Sequence, residues 1–170
     1  MAEAGVFAPD ARLELIEGEI VEMAPIGSRH AGAVNVLTQL LVRLAGERAV
    51  VAVQNPVIIG ERSVPQPDLA LLKPRADSYS GAHPTPSDVL LVVEVADATL
   101  TFDIGTKVPL YARHGIPEVW VVDLQESALR VFRDPSANGY RRSFTVAGEE
   151  SIAVAALPEV VVALSELFPK

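Results

Sequence analysis

An acidic residue stands inside the most apolar stretch of the chain. Val89-Leu90-Leu91-Val92-Val93-Glu94-Val95-Ala96 reads as a strand buried on both faces, a near-continuous run of aliphatic side chains. An ionised carboxylate without a partner in such a strand costs on the order of several kcal/mol. The fold must therefore bring something to meet Glu94. Upstream, Pro67-Asp68-Leu69-Ala70-Leu71-Leu72 forms a second apolar strand with an acid at its start, and downstream Asp103 and Lys107 open a helical pattern. Two acids on neighbouring strands with a lysine nearby match the layout of a divalent-metal site for phosphodiester chemistry. Such chemistry needs a cation to stabilise transition-state charge and to generate a nucleophile from water. Mg²⁺ or Mn²⁺ takes hard oxygen ligands, so Asp68, Glu94 and a backbone carbonyl near Val95 are the candidate donors.

Blander readings stand beside this one. Asp68 after a proline is also ordinary turn chemistry. Glu94 and Lys107 also suit a structural buried ion pair, and Lys107 taken alone suits a pairing with Asp103 across one helical turn. Three further residues are accessory candidates. Asp103 opens the helix, His30 falls in the first turn of an earlier helix where a partly exposed position is expected, and Glu19 ends a turn where a solvated hairpin residue is expected. His114 is accounted for by a helix C-terminus before Gly115, and His83 lies in a loop.

Around these residues the pattern describes an α/β domain built on one mixed sheet. Leu13 to Met23 alternates about Glu17-Gly18, which predicts a hairpin. Ala33, Leu37, Leu40, Leu41 and Leu44 recur at helical spacing from Ser28, with Ser28 a candidate cap and Gly46 the stop. Ala49 to Val53 and Pro56 to Ile59 read as strands, and residues 73–88 as a long loop. A helix over 103–114 is expected to kink at Pro109. Glu118 to Asp123 is a further buried strand. Leu129 to Phe132 and Tyr140 to Val146 read as a meander, followed by a strand near Val160 and a helical turn at 164–168. A length of 170 residues fits one domain over 1–170.

The chain has no cysteine, which excludes disulfides, thiolate zinc sites and cysteine nucleophiles and suits a cytoplasmic protein. Its apolar runs are too short to span a bilayer, and Met1-Ala2-Glu3-Ala4 opens no secretory signal. The formal net charge of −8 argues against holding duplex DNA through the overall field, although Arg29, Lys73 with Arg75, and Arg141-Arg142 remain to touch phosphates locally.

The segment Glu94-Val95-Ala96-Asp97-Ala98-Thr99, Asp103, Lys107, Tyr111 and Gly115-Ile116-Pro117-Glu118-Val119-Trp120-Val121-Val122-Asp123 resembles the PD-(D/E)XK nuclease superfamily. Within it, the likeness is to the Uma-two group of bacterial restriction-endonuclease-like proteins. Leu15 to Met23 followed by His30 resembles the group's N-terminal signature, Pro67-Asp68 its PD element, and Leu164 to Phe168 its ending. The resemblance implies a restriction-endonuclease-like fold: a central mixed β-sheet flanked by helices, with an N-terminal hairpin and a C-terminal β meander. It implies a Mg²⁺- or Mn²⁺-dependent endonuclease acting on DNA, with RNA not separated from it by sequence. Asp68 and Glu94 would be the metal-binding acids and Lys107 the catalytic lysine. The parent pattern has its lysine two positions after the acid, where this chain has Ala96, so the lysine is taken to have moved to Lys107 on the following helix. The displaced lysine and acidic charge motivate an alternative, a catalytically silent nucleic-acid or protein-binding module on the same fold. Related nucleases often pair to cut two strands, so a homodimer is expected.

Overall fold

The computed structural model describes residues 12–168, so the expectation about Met1 to Ala4 lies outside the described residues. Its centre is a six-stranded sheet in the order β3-β4-β5-β6-β7-β8. The strands are β3 (Val50–Val53), β4 (Leu69–Leu72), β5 (Val89–Ala96), β6 (Glu118–Asp123), β7 (Ala128–Ser136) and β8 (Gly139–Ala147). β5 and β6 are parallel and every other neighbouring pair is antiparallel. The parallel pair requires a crossover, which the helical segment between 100 and 113 supplies.

The strands alternate between two cores. Leu69, Leu71, Leu91, Val93, Val95, Trp120 and Val122 face one side, with Leu37 and Leu41 of α1 (Ser28–Ala45) and residues of the C-terminal hairpin. Ala70, Leu72, Val92, Ala96, Val119 and Val121 face the other, against Val108, Leu110 and Tyr111 of the crossover. Both faces of β5 are thus covered, which is why its sequence runs apolar without alternation. Glu94 falls between Val92 and Ala96, on the crossover side.

A separate hairpin, β1 (Leu13–Ile16) and β2 (Glu19–Glu22), lies ahead of the sheet. Its turn places Glu17 at φ 51° and Gly18 at φ 92°, the pair of positive values that a two-residue hairpin turn matched to strand twist demands. A second hairpin, β9 (Ser151–Val154) and β10 (Leu157–Ala163), leads into α4 (Leu164–Leu167). It is joined to the sheet through Glu118, which is fully buried. Glu118 Oε1 accepts from Trp120 Nε1 and Arg133 Nε, both at 2.8 Å, and Oε2 accepts from the Ala155 N–H at 2.7 Å. Arg133 also donates to the Ala153 carbonyl.

Several local expectations change. Ser28 is the first helical residue rather than the cap; Gly27 holds that position with no side-chain bond. Residues 56–59 form no strand, because Pro56 cannot donate to a ladder and the segment instead makes a bridge from Ile59 to Ser63. The helix expected over 103–114 begins earlier, at Leu100, and is divided: α2 (Leu100–Phe102), a π-helical turn over Asp103–Lys107, and α3 (Val108–Arg113). Pro109 lacks an N–H and its ring crowds the carbonyl four residues back, so the turn ahead of it widens instead of bending sharply. β9, unmarked in the sequence pattern, completes the C-terminal hairpin.

Arg133→Ala leaves the buried Glu118 carboxylate without its cation and is expected to lower unfolding free energy by about 3 kcal/mol. Urea denaturation measures the change, and a loss within experimental error would show that this ion pair does not secure the C-terminal hairpin.

Candidate functional site

The register of β4 on β5 sets Leu69 opposite Val93. One step further along the ladder brings Asp68 beside Glu94, on the face shared by Ala70, Leu72, Val92 and Ala96. Asp68 is fastened there. Its Oδ2 accepts the Val95 N–H at 2.8 Å and lies 3.0 Å from His30 Nε2, while Oδ1 accepts Gln54 Nε2 at 3.2 Å. The amide of Val95 is thus the group that meets Asp68 directly. His30 reaches it from the first turn of α1.

Glu94 is met by two donors from the crossover. Tyr111 donates its hydroxyl to Oε1 at 2.6 Å, and Lys107 Nζ stands 3.3 Å from Oε2. The same ammonium lies closer, at 2.9 Å, to Glu14 Oε1 of the N-terminal hairpin. That oxygen also accepts the Gln66 N–H at 2.6 Å, two residues before Asp68. Asp103 and Lys107 are the two ends of the π turn, and both are buried. The pairing across one turn expected of Lys107 is not made: Asp103 Oδ2 takes the Thr99 hydroxyl at 2.6 Å, and Lys107 reaches across to Glu14 and Glu94.

Four buried carboxylates, Glu14, Asp68, Glu94 and Asp103, therefore share a cavity of about 510 Å³ with Lys107 and His30. Burial pushes Glu94 up to about 8; Lys107 opposes this, and the nearby charges of Asp103, Asp68 and Glu14 add to it. Asp103 is raised chiefly by burial, although Thr99 and Lys107 oppose the shift. Asp68 differs: burial pushes it up, but His30, the Val95 N–H and Gln54 outweigh burial and hold it below the usual carboxylate value. The Asp68 hydrogen bond raises His30 in return. Burial would lower Lys107, yet the acids around it, Glu94 and Glu14 foremost, keep it raised and charged. Tyr111 is raised well above its ordinary value by burial and then by Glu94, so it remains a hydroxyl donor.

Of the residues singled out in the sequence, Asp68, Glu94, Val95, Lys107, His30 and Asp103 all line this cavity. Glu19 does not; it is exposed at the start of β2. The acid that the hairpin contributes is Glu14. Sequence alternation gave no reason to choose it, because Leu13 and Leu15 look like the inward face, yet Glu14 and Ile16 are the buried pair. Tyr111 and Gln54 were missed as partners for a different reason: a hydroxyl or amide that bonds a carboxylate more than ten positions away leaves no spacing signal along the chain.

A carboxylate with a raised pKa stabilises the fold at low pH and loses that contribution as it ionises. For Glu94 the contribution is complete below 4.5 and disappears as pH rises through about 8. Glu94→Gln, which cannot ionise, should therefore be more stable than the natural chain at pH 9 by a few kcal/mol, with the gap closing toward pH 5. Urea midpoints at the two pH values test this; equal differences at both would mean that Glu94 is not raised.

Among solved structures, four chains match this fold significantly. One is a crystal structure described as a putative nuclease belonging to DUF820 from Anabaena variabilis ATCC 29413. It superposes with a TM-score of 0.75 over 94% of this chain and 90% of its own, at 14% sequence identity, a likeness of fold. No curated protein matches the chain. The family model for Uma2, described as "Putative restriction endonuclease", matches residues 2–165, almost the whole sequence. The chain belongs to the Uma2 family of restriction-endonuclease-like proteins.

Proposed function

We propose that the protein is a Mg²⁺- or Mn²⁺-dependent endonuclease that hydrolyses phosphodiester bonds of DNA at the Asp68–Glu94–Lys107 cluster. The observation that carries this reading is the meeting of those three side chains in one cavity on a nuclease-family fold. The residues fit a hard dication in charge and in chemistry. Four buried carboxylates face one lysine and one histidine, and every donor is oxygen or imidazole nitrogen. Asp68 and Glu94, with the Val95 carbonyl, are the proposed ligands, in keeping with Mg²⁺ sites that use one or two carboxylates and leave other positions to water and phosphate. When bound, the cation supplies charge stabilisation at the phosphate and a more acidic water.

The chain's own residues have separate tasks in this scheme. His30, Gln54 and the Val95 N–H hold the Asp68 carboxylate in orientation and keep it ionised. Tyr111 fixes one oxygen of Glu94. Lys107 donates from Nζ to the attacking water or to a non-bridging phosphate oxygen. Glu14 is its standing counter-ion, so Lys107 stays charged and placed when Glu94 serves the cation. Asp103 offers a further oxygen on the same cavity wall. A cytoplasmic location and a homodimer belong to the same proposal; the absence of cysteine suits the former.

One observation favours a second reading, a silent binding module. Both oxygens of Asp68 and of Glu94 already have protein partners, and among the described residues no three acidic, histidine or cysteine side chains stand ready as a metal cage. Calorimetry with Mn²⁺ separates the two, since a module closed by its own ion pair takes up no metal.

Two experiments test the enzyme reading. Negatively supercoiled plasmid, whose underwound duplex opens unpaired stretches, should be nicked with Mg²⁺ or Mn²⁺, and Glu94→Ala or Asp68→Asn should slow nicking at least about 100-fold; the same rate in Glu94→Ala as in the natural chain would sink the assignment. Glu14→Gln should weaken Mn²⁺ binding about 10-fold in the natural chain and have little effect in a Lys107→Met background. Equal losses in both backgrounds would mean that Glu14 does not act through the lysine.

A further inference from the structure

The acids and lysine of the cavity lie at the bottom of a pocket, not on a surface. Relative exposures are 2% for Glu94, 3% for Glu14, 4% for Lys107 and 7% for Asp68. The N-terminal hairpin forms one wall of this pocket, since Glu14 on β1 and Val21 and Glu22 on β2 all line it. Groups so covered are reached more readily by the phosphate of a flexible strand that can bend into the pocket than by that of a stiff double helix.

The hairpin is tied down along its length. The Gly18 N–H donates to the Arg62 carbonyl at 2.7 Å, the Val64 N–H to the Leu15 carbonyl at 2.7 Å, and the Glu17 N–H to Ser63 Oγ at 2.9 Å. Arg113 pairs with Glu17 at 2.7 Å. The Gln66 N–H, bonded to Glu14, fastens the strand beside the lysine itself. A wall held at its turn, its first strand and its buried acid is part of the pocket's fixed shape.

The pocket's size and lining agree with a narrow occupant. A volume of about 510 Å³ falls within the roughly 300–1,000 Å³ of clefts that engulf one small molecule. Val21, Met23, Ile26 and Phe102 line the same cavity with apolar surface, and Ile26 is 42% exposed. Such surface suits the flat face of an unpaired base, which stacks on aromatic and apolar side chains. Among the described residues Arg12 is the one arginine that lines the cavity, and it donates to the Ala24 carbonyl. Arg29, outside the lining, pairs with Asp97 and donates to the Leu124 carbonyl. The net charge of −8 sets the overall field against a polyanion, and more strongly against a duplex, whose charge density is higher, than against a single strand.

We propose that the cavity takes a single strand of DNA, entered at an unpaired stretch or a strand end, and not the intact duplex. This rests on the phosphodiesterase reading of the site and narrows its substrate. The strand's phosphate descends to Lys107 and the acids, while a flanking base lies against Phe102 and Ile26.

Oligonucleotides of one sequence, prepared as a single strand, a blunt duplex and a duplex with an internal unpaired bubble, are incubated with the full chain and Mn²⁺. The single strand and the bubble should be cut at least tenfold faster than the blunt duplex. A blunt duplex cut as fast or faster overturns the single-strand assignment while leaving the nuclease reading intact. No cleavage of any of the three, with Mn²⁺ taken up or not, overturns both. Ile26→Ser, which removes apolar surface without adding charge, should slow cutting of the single strand at least fivefold, and should slow cutting of a strand of the same length with abasic sites flanking the scissile phosphate by far less. Equal loss on the two substrates, or none on either, shows that the apolar wall does not hold a base.

Discussion

The ammonium of Lys107, lodged between Glu14 and Glu94, is the interaction on which the arrangement of the site depends. It joins three parts of the chain that are distant in sequence: the N-terminal hairpin, the central strand β5 and the π turn of the crossover. A buried ion pair of this kind contributes little net stability, because desolvating the charges offsets their attraction. Its effect is on specificity of position. Without the lysine, Glu94 and Glu14 would be two buried acids with no cation between them, and neither the hairpin nor the crossover would have an electrostatic reason to close over the sheet at this point.

The π turn is what makes that reach possible. An uninterrupted α-helix would direct Asp103 and Lys107 along one stripe, one turn apart, where they would pair with each other. The wider turn ahead of Pro109 accommodates both as buried residues with different partners, Thr99 for the acid and two glutamates for the lysine. The same crossover continues into α3, whose Tyr111 supplies the second donor to Glu94. A proline that looks in sequence like a defect in a helix therefore serves the geometry of the cluster.

The site also concentrates charge that the fold would be more stable without. Glu94 and Asp103 are both raised, chiefly by burial, and the charges of Asp68 and Glu14 add to the cost of ionising both. Asp68 alone is held low, because three donors from β3's end, α1 and β5 converge on it. One acid that stays ionised beside another that resists ionisation is an arrangement that chemistry uses and that a purely structural core avoids.

The sequence by itself determined the main elements: a run from Val89 to Ala96 too apolar to be anything but a covered strand, a helix from Ser28 to Gly46 with its leucines at helical spacing, and a hairpin about Glu17-Gly18. It also pointed to Asp68, Glu94 and Lys107, because an acid in a fully apolar strand demands a partner and the motif that follows is distinctive. Those features are local, and local periodicity and composition record them. Only the tertiary structure decided the partners. Which face of β1 turns inward depends on what covers it, so Glu14 rather than Glu19 reaches the lysine. His30 and Gln54 converge on Asp68 only because α1 and the end of β3 arrive at the same edge of the sheet. The π turn arises from the packing of the crossover as much as from Pro109. Contacts between residues tens of positions apart leave no periodic trace in a single sequence; here they are set by strand register, crossover geometry and the need to bring a cation to a buried carboxylate.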